Sequence, residues 1–224
     1  MAERADTAAA LKKSKDDAVA ANIKILENFY SFVISFALTQ ATMRLVDSWT
    51  KEGIDTTIFE QCVLYFALVI TIVPFYQGMN RFLYVTHVIR PLEKPDFRSS
   101  PMLLDIYSFL VMSCIIFAMG RFLDNPRAFF YLWSALLTID IVWSVIVWRV
   151  QKSRSPYWAW NNLAWLCIAW AFYYATNLNT VSSRLSLSTK ELLPYAFVCF
   201  VVLRTLNDYR INWKFYFPEE YKGF

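Results

Sequence analysis

The chain has 224 residues, of which 57% are hydrophobic, 18% aromatic and only 18% charged, and its mean hydropathy is +0.34. Soluble domains carry about 25% charged residues, so this composition argues against an ordinary water-soluble globule. The formal net charge is +4, and the positions of the basic residues are more informative than their number.

In chain order, residues 1–24 form a polar, Ala/Lys-rich arm, either a helix running into the first span or a frayed segment. It lacks the basic start, short apolar core and cleavage site of a removable signal peptide. Six apolar stretches follow, near 25–46, 58–78, 102–120, 128–148, 157–176 and 192–209. Crossing about 30 Å of hydrocarbon takes about 20 helical residues, and residues 61–80 and 155–183 contain no charge at all. Continuous apolar runs favour helices over barrel strands, whose lipid-facing residues alternate. The expected fold is therefore all-α and polytopic, with a cytosolic arm (1–24), a six-helix transmembrane domain (25–209) and a cytosolic tail (210–224). Pro74 and Pro194 are candidate kinks, while the four glycines form no GxxxG pair.

Short cytosolic loops retain Lys and Arg. Arg4, Lys12, Lys13, Lys15 and Lys24 precede the first span. Arg81, Arg90, Lys94 and Arg98 lie between the second and third, Arg149, Lys152 and Arg154 between the fourth and fifth, and Arg210, Lys214 and Lys222 in the tail. The opposite loops hold only Lys51, Arg121, Arg127, Arg184 and Lys190. Both termini are thus expected in the cytosol, with Trp49, Trp148, Tyr157, Trp158, Trp160 and Trp213 at the interfaces.

The first span carries a polar stripe. At 100° per residue, with Asn28 as zero, Ser31 falls at about 300°, Thr42 at 320°, Ser35 at 340° and Thr39 at 20°. Five polar side chains thus share an arc of roughly 80°. Hydroxyls and amides can replace part of an ion's hydration shell, so the stripe suits a pore lining, with Phe36 or Leu38 as a constriction. Small hydroxyl residues also mediate close helix packing, and both readings remain open from the sequence.

Two charges lie deeper than any interface. Asp140 is 12 residues into the fourth span from Ala128, and Arg204 is 12 residues beyond Leu192. At 1.5 Å per residue both sit about 18 Å deep. A charge facing lipid costs at least about 2.5 kcal/mol, so an Asp140–Arg204 contact is expected, as a clamp between helices or as part of a relay.

Catalytic and metal signatures are missing from the sequence. Cys62, Cys114, Cys167 and Cys199 fall in four different apolar stretches, His87 is the lone histidine, and HExxH, GxSxG and Walker-type patterns are absent. No enzyme, metal or cofactor is expected.

The run Phe29-Tyr30-Ser31-Phe32-Val33-Ile34-Ser35-Phe36-Ala37-Leu38-Thr39 resembles the signature first helix of the six-span potassium-channel family related to the lysosomal potassium channel. In that alignment Phe29 matches the motif phenylalanine, and Ser35 and Thr39 match pore-facing hydroxyl positions. Phe36 takes the place of an aliphatic constriction, and Tyr30-Ser31 stand where the family has Ser-Asp. The resemblance implies six spans, a cytosolic N-terminus and a homotetramer whose first helices surround the pore.

The expected function is a homo-oligomeric, cation-conducting channel in a plasma or bacterial inner membrane. A cytosolic anionic ligand, such as a nucleotide or oligonucleotide, is a candidate gating partner for Arg90, Lys94, Arg98, Lys152 and Arg154, although positive-inside topology produces the same charges. The alternative is a non-conducting membrane scaffold or partner subunit with the hydroxyl stripe buried between helices.

Overall fold

A computed structural model of the chain describes residues 2–52, 56–93, 101–151, 157–177 and 187–217. Among these residues there are helices and short connections, and no strand. The elements are α1 (Ala2–Glu52), α2 (Thr56–Tyr84), a π-helical turn (Val85–Ile89), α3 (Arg90–Glu93), α4 (Met102–Arg121), α5 (Pro126–Gln151), α6 (Tyr157–Asn177), α7 (Leu187–Ile211) and α8 (Trp213–Tyr216). Four segments are long and apolar enough to cross a membrane: Asp17–Lys51, Thr57–Ile89, Met102–Arg121 and Pro126–Gln151. The expected spans at 157–176 and 192–209 fall on the helices α6 and α7.

Two elements run further than expected. The N-terminal arm is helical from Ala2 and merges into α1, whose 51 residues extend about 76 Å at 1.5 Å per residue, more than twice the hydrocarbon thickness. The second span continues past Gly78 into the π-turn and α3 because no helix breaker intervenes before Pro91. The helix carries on through Pro91 with the loss of one backbone hydrogen bond.

The six long helices pack as a closed ring in the order α1, α2, α7, α6, α5, α4, with α2 also touching α4 across it. On α1 the buried side chains are Ile23, Tyr30, Ile34, Ala37 and Ala41, all on one face at helical spacing. Ala37 and Ala41 let α4 approach closely at Gly120, where an added Cβ would meet the Ala37 carbonyl oxygen at 2.8 Å. Aromatic rings fill the core in edge-on pairs. Phe197 of α7 packs on Phe130 and Trp133 of α5 at centroid distances of 4.6 and 5.0 Å, and Trp143 lies 4.6 Å from Phe82 of α2. Such contacts add to the hydrophobic contribution of the rings. Outside, Phe32, Phe59, Phe66, Leu103, Tyr107 and Leu203 are more than half exposed, as lipid-facing side chains of a membrane bundle are.

Candidate functional site

Relative to Asn28, the buried face of α1 centres near 210° and the polar stripe near 340°. The stripe is therefore turned away from the chain's own core: Asn28, Ser35, Thr39 and Thr42 are exposed and Ser31 is half-buried. Three of its four hydroxyls are nonetheless bonded. Ser31 donates to the Glu27 carbonyl at 2.7 Å, Thr39 to that of Ser35 at 2.8 Å and Thr42 to that of Leu38 at 2.8 Å. With their single hydrogens so used, Ser31 and Thr42 accept from the phenols of Tyr76 and Tyr65 on α2, the latter at 3.1 Å. Helix α2 thus braces one edge of the stripe and leaves the remainder uncovered.

The two constriction candidates part company. Phe36 lies about 100° from the stripe's centre and stacks on Phe117 of α4, 5.5 Å away with the planes 10° apart. Leu38 borders the stripe and lines a shallow groove with Thr39, Thr42, Met43, Val46 and Asp47.

The ring encloses a second polar system. A cavity of about 80 Å³ lies among α2, α4, α5, α6, α7 and α8, with no α1 residue in its lining. Asp140 and Arg204 both face it, but they are joined through Asn162 of α6 rather than directly. The Asn162 amide donates to Asp140 Oδ2 at 2.6 Å, and Arg204 Nη2 donates to Asn162 Oδ1 at 3.0 Å. An amide suits this position because it offers a donor to the carboxylate and an acceptor to the guanidinium at once.

Below this chain of contacts Asp208 is buried and fully bonded. It accepts from Trp158 Nε1 at 3.2 Å, Asn212 Nδ2 at 2.7 Å and the Tyr216 phenol at 2.6 Å. Tyr216 sits on a C-terminal strap held by Arg81 Nε on the Phe215 carbonyl, at 3.2 Å, and by an edge-on Trp158–Phe215 pair. Burial, followed by the charge of Asp208, pushes the Tyr216 phenol well above its usual range. Neither Asp208 nor Asn162 was singled out from the sequence. The signal for Asn162 was present, as Asn161-Asn162 is the only amide pair inside the uncharged run 155–183.

Another buried carboxylate, Asp105, lies in the first turn of α4. Its oxygens meet His87 Nε2 at 2.9 Å and Trp143 Nε1 at 2.8 Å. Tyr30 secures the same turn by donating to the Ile106 carbonyl at 2.8 Å. The π-turn carries His87 to this position. The arrangement locks α2, α4 and α5 together. Of the basic candidates for ligand binding, Arg90 donates to Gln151 Oε1 at 3.2 Å, tying α3 to the end of α5. Lys94, Arg98, Lys152 and Arg154 lie outside the described residues. The cysteines are all exposed and free, and no cluster of metal ligands occurs among the described residues.

No protein-family profile matches this sequence, and neither a curated protein nor a solved structure matches it. The likeness to the potassium-channel helix therefore rests on α1 alone.

Proposed function

We propose that the chain is a subunit of a homo-oligomeric, cation-conducting channel, with six spans, both termini in the cytosol and α1 on the central axis. One observation supports this above the rest: most of the polar stripe of α1 lies on the side of the helix that the subunit's own helices leave uncovered, next to the exposed Ile25, Phe29, Phe32, Phe36 and Met43. Exposed hydroxyls and an amide are ill-suited to acyl chains but suit water at an axis between copies. Asn28, Ser31, Ser35, Thr39 and Thr42 line the path in this reading and Leu38 narrows it, while Phe36 serves the α1–α4 contact. A tetramer in a plasma or bacterial inner membrane fits the resemblance and the distribution of basic residues. A nucleotide or oligonucleotide acting at the basic cytosolic loops is the gating ligand of this proposal.

The test is ion flux from proteoliposomes holding purified protein. Wild type conducts and Ser35→Trp, correctly assembled, does not; equal flux from both, or none from folded wild type, rejects the proposal. The alternative, a non-conducting scaffold, draws support from the Tyr65 and Tyr76 contacts, which satisfy part of the stripe without water. Thiol labelling along positions 31, 35 and 39 separates the two, since a scaffold protects all three in the assembled protein.

A further inference from the structure

The inward cavity is independent of any pore on the oligomer axis, because α1 contributes nothing to it. Its charges can be counted from every element around it. Helix α5 supplies Asp140, α7 supplies Arg204 and Asp208, and α8 supplies the Tyr216 phenol, while α2, α4 and α6 line it with no ionisable side chain. With both carboxylates ionised the lining carries one unmatched negative charge. Such a charge inside a membrane bundle is costly unless something neutralises it.

The hydrogen-bond inventory indicates an occupant as well. A guanidinium has five N–H donors. Arg204 uses Nη2 on Asn162, while its buried Nε has no acceptor among the described residues. The missing acceptor is a water or another polar guest. Size limits the choice, since about 80 Å³ admits only a few water-sized particles, whereas sites for organic ligands start near about 300 Å³. An anion would satisfy Arg204 but would double the unmatched charge. A small cation with one or two waters answers both requirements.

We propose that the ring interior of each subunit binds one exchangeable monovalent cation, an alkali ion or hydronium, between Asp140 and Asp208, with Tyr216 closing the cytosolic mouth. Asp140 is its principal ligand because that carboxylate accepts a single protein hydrogen bond, whereas Asp208 accepts three. The strap bearing Tyr216 covers the entrance, with the phenol on Asp208 and the ring in the lining.

The experiment measures thermal unfolding of the full-length protein in lipid nanodiscs. Titrations with LiCl, NaCl and KCl are compared with N-methylglucamine chloride at constant ionic strength, at pH 6 and pH 8. For an alkali ion, the wild-type melting temperature rises saturably with that ion at pH 8 and less at pH 6. For hydronium, it rises on going from pH 8 to pH 6 in every salt alike. In either case Asp140→Asn abolishes the response, and Ser35→Ala, on the outward stripe, keeps it, which separates this site from a pore. No response in wild type, or an unchanged response in Asp140→Asn, overturns the proposal. If Asp140→Asn does not fold, infrared difference spectra of wild type decide. Carboxylate bands shift between sodium and N-methylglucamine or between the two pH values if the site exists, and unchanged bands in both comparisons refute it.

Discussion

Gly120→Ala probes the contact on which the placement of α1 depends. The new Cβ would lie 2.8 Å from the Ala37 carbonyl oxygen and 3.4 Å from the Ala41 Cβ. A carbon–oxygen contact settles at about 3.3 Å or more, so α1 and α4 must separate by roughly half an ångström. The offending oxygen is backbone and has no rotamer to retreat into. Overpacking of this kind costs about 1–3 kcal/mol. Alanine recovers at most about 1 kcal/mol through better helix propensity, and less here because Gly120 is next to the last residue of α4. The expected net loss is about 1–2 kcal/mol, read as a lower midpoint in equilibrium unfolding of the full chain in bicelles. Gly78→Ala is the control. Its Cβ would approach the Tyr216 hydroxyl at 3.4 Å, an ordinary distance at the end of a side chain, and stability should change little. A Gly120→Ala protein as stable as wild type would show that α1 and α4 are not pressed together at this point.

Three further outcomes are expected. Asp105→Ala strands the Trp143 indole and His87 in a closed environment and should cost about 2–4 kcal/mol; Asp105→Asn should recover part of that, and an alanine variant of wild-type stability contradicts the locking role. Asn162→Leu removes the bridge between Asp140 and Arg204 and should lower the unfolding midpoint by about 2 kcal/mol or more, whereas a neutral result means that the two charges pair without it. The Tyr216 phenol is raised in the folded protein, so its contribution to strap stability is complete below the ordinary phenol value of about 10 and falls as the pH climbs above it. Tryptophan fluorescence from pH 8 to 11.5 should show strap release in wild type and a shallower change in Tyr216→Phe; coincident profiles refute the assignment.

The features that could be read from the sequence depend on local periodicity. Long uncharged runs set the all-helical class, and the 100° rule located the stripe of α1 on a single arc, which the fold leaves uncovered. Depth counting paired Asp140 with Arg204 at one level. It could not show that a side chain from a third helix, Asn162 of α6, comes between them. Asp208 was hidden for a related reason: it falls one residue before the end of the sixth apolar stretch, and the strap folds back over it through Tyr216. Phe36 was legible as an aromatic beside the stripe, whereas its stacking partner Phe117 belongs to another helix. Tertiary neighbours decide each of these cases, and one helix's pattern carries no record of them.

Helix α2 connects the two polar systems. One of its faces sends Tyr65 and Tyr76 to the stripe on α1, while Thr71 and Pro74 line the inward cavity. Further along, Gln77 accepts the Tyr209 phenol of α7 at 2.8 Å, and Arg81 holds the strap. Pro74 leaves one backbone carbonyl of α2 without its helical N–H partner, at the level where the two faces diverge. A displacement of the strap or a change in cavity occupancy therefore acts on the same helix that braces Ser31 and Thr42. If cavity cations alter flux along α1 through this helix, Tyr76→Phe, which removes a brace on the stripe, should alter the cation dependence of unfolding that Asp140 confers. Flux that responds to cavity cations while Tyr76→Phe leaves that dependence untouched would place the link outside α2.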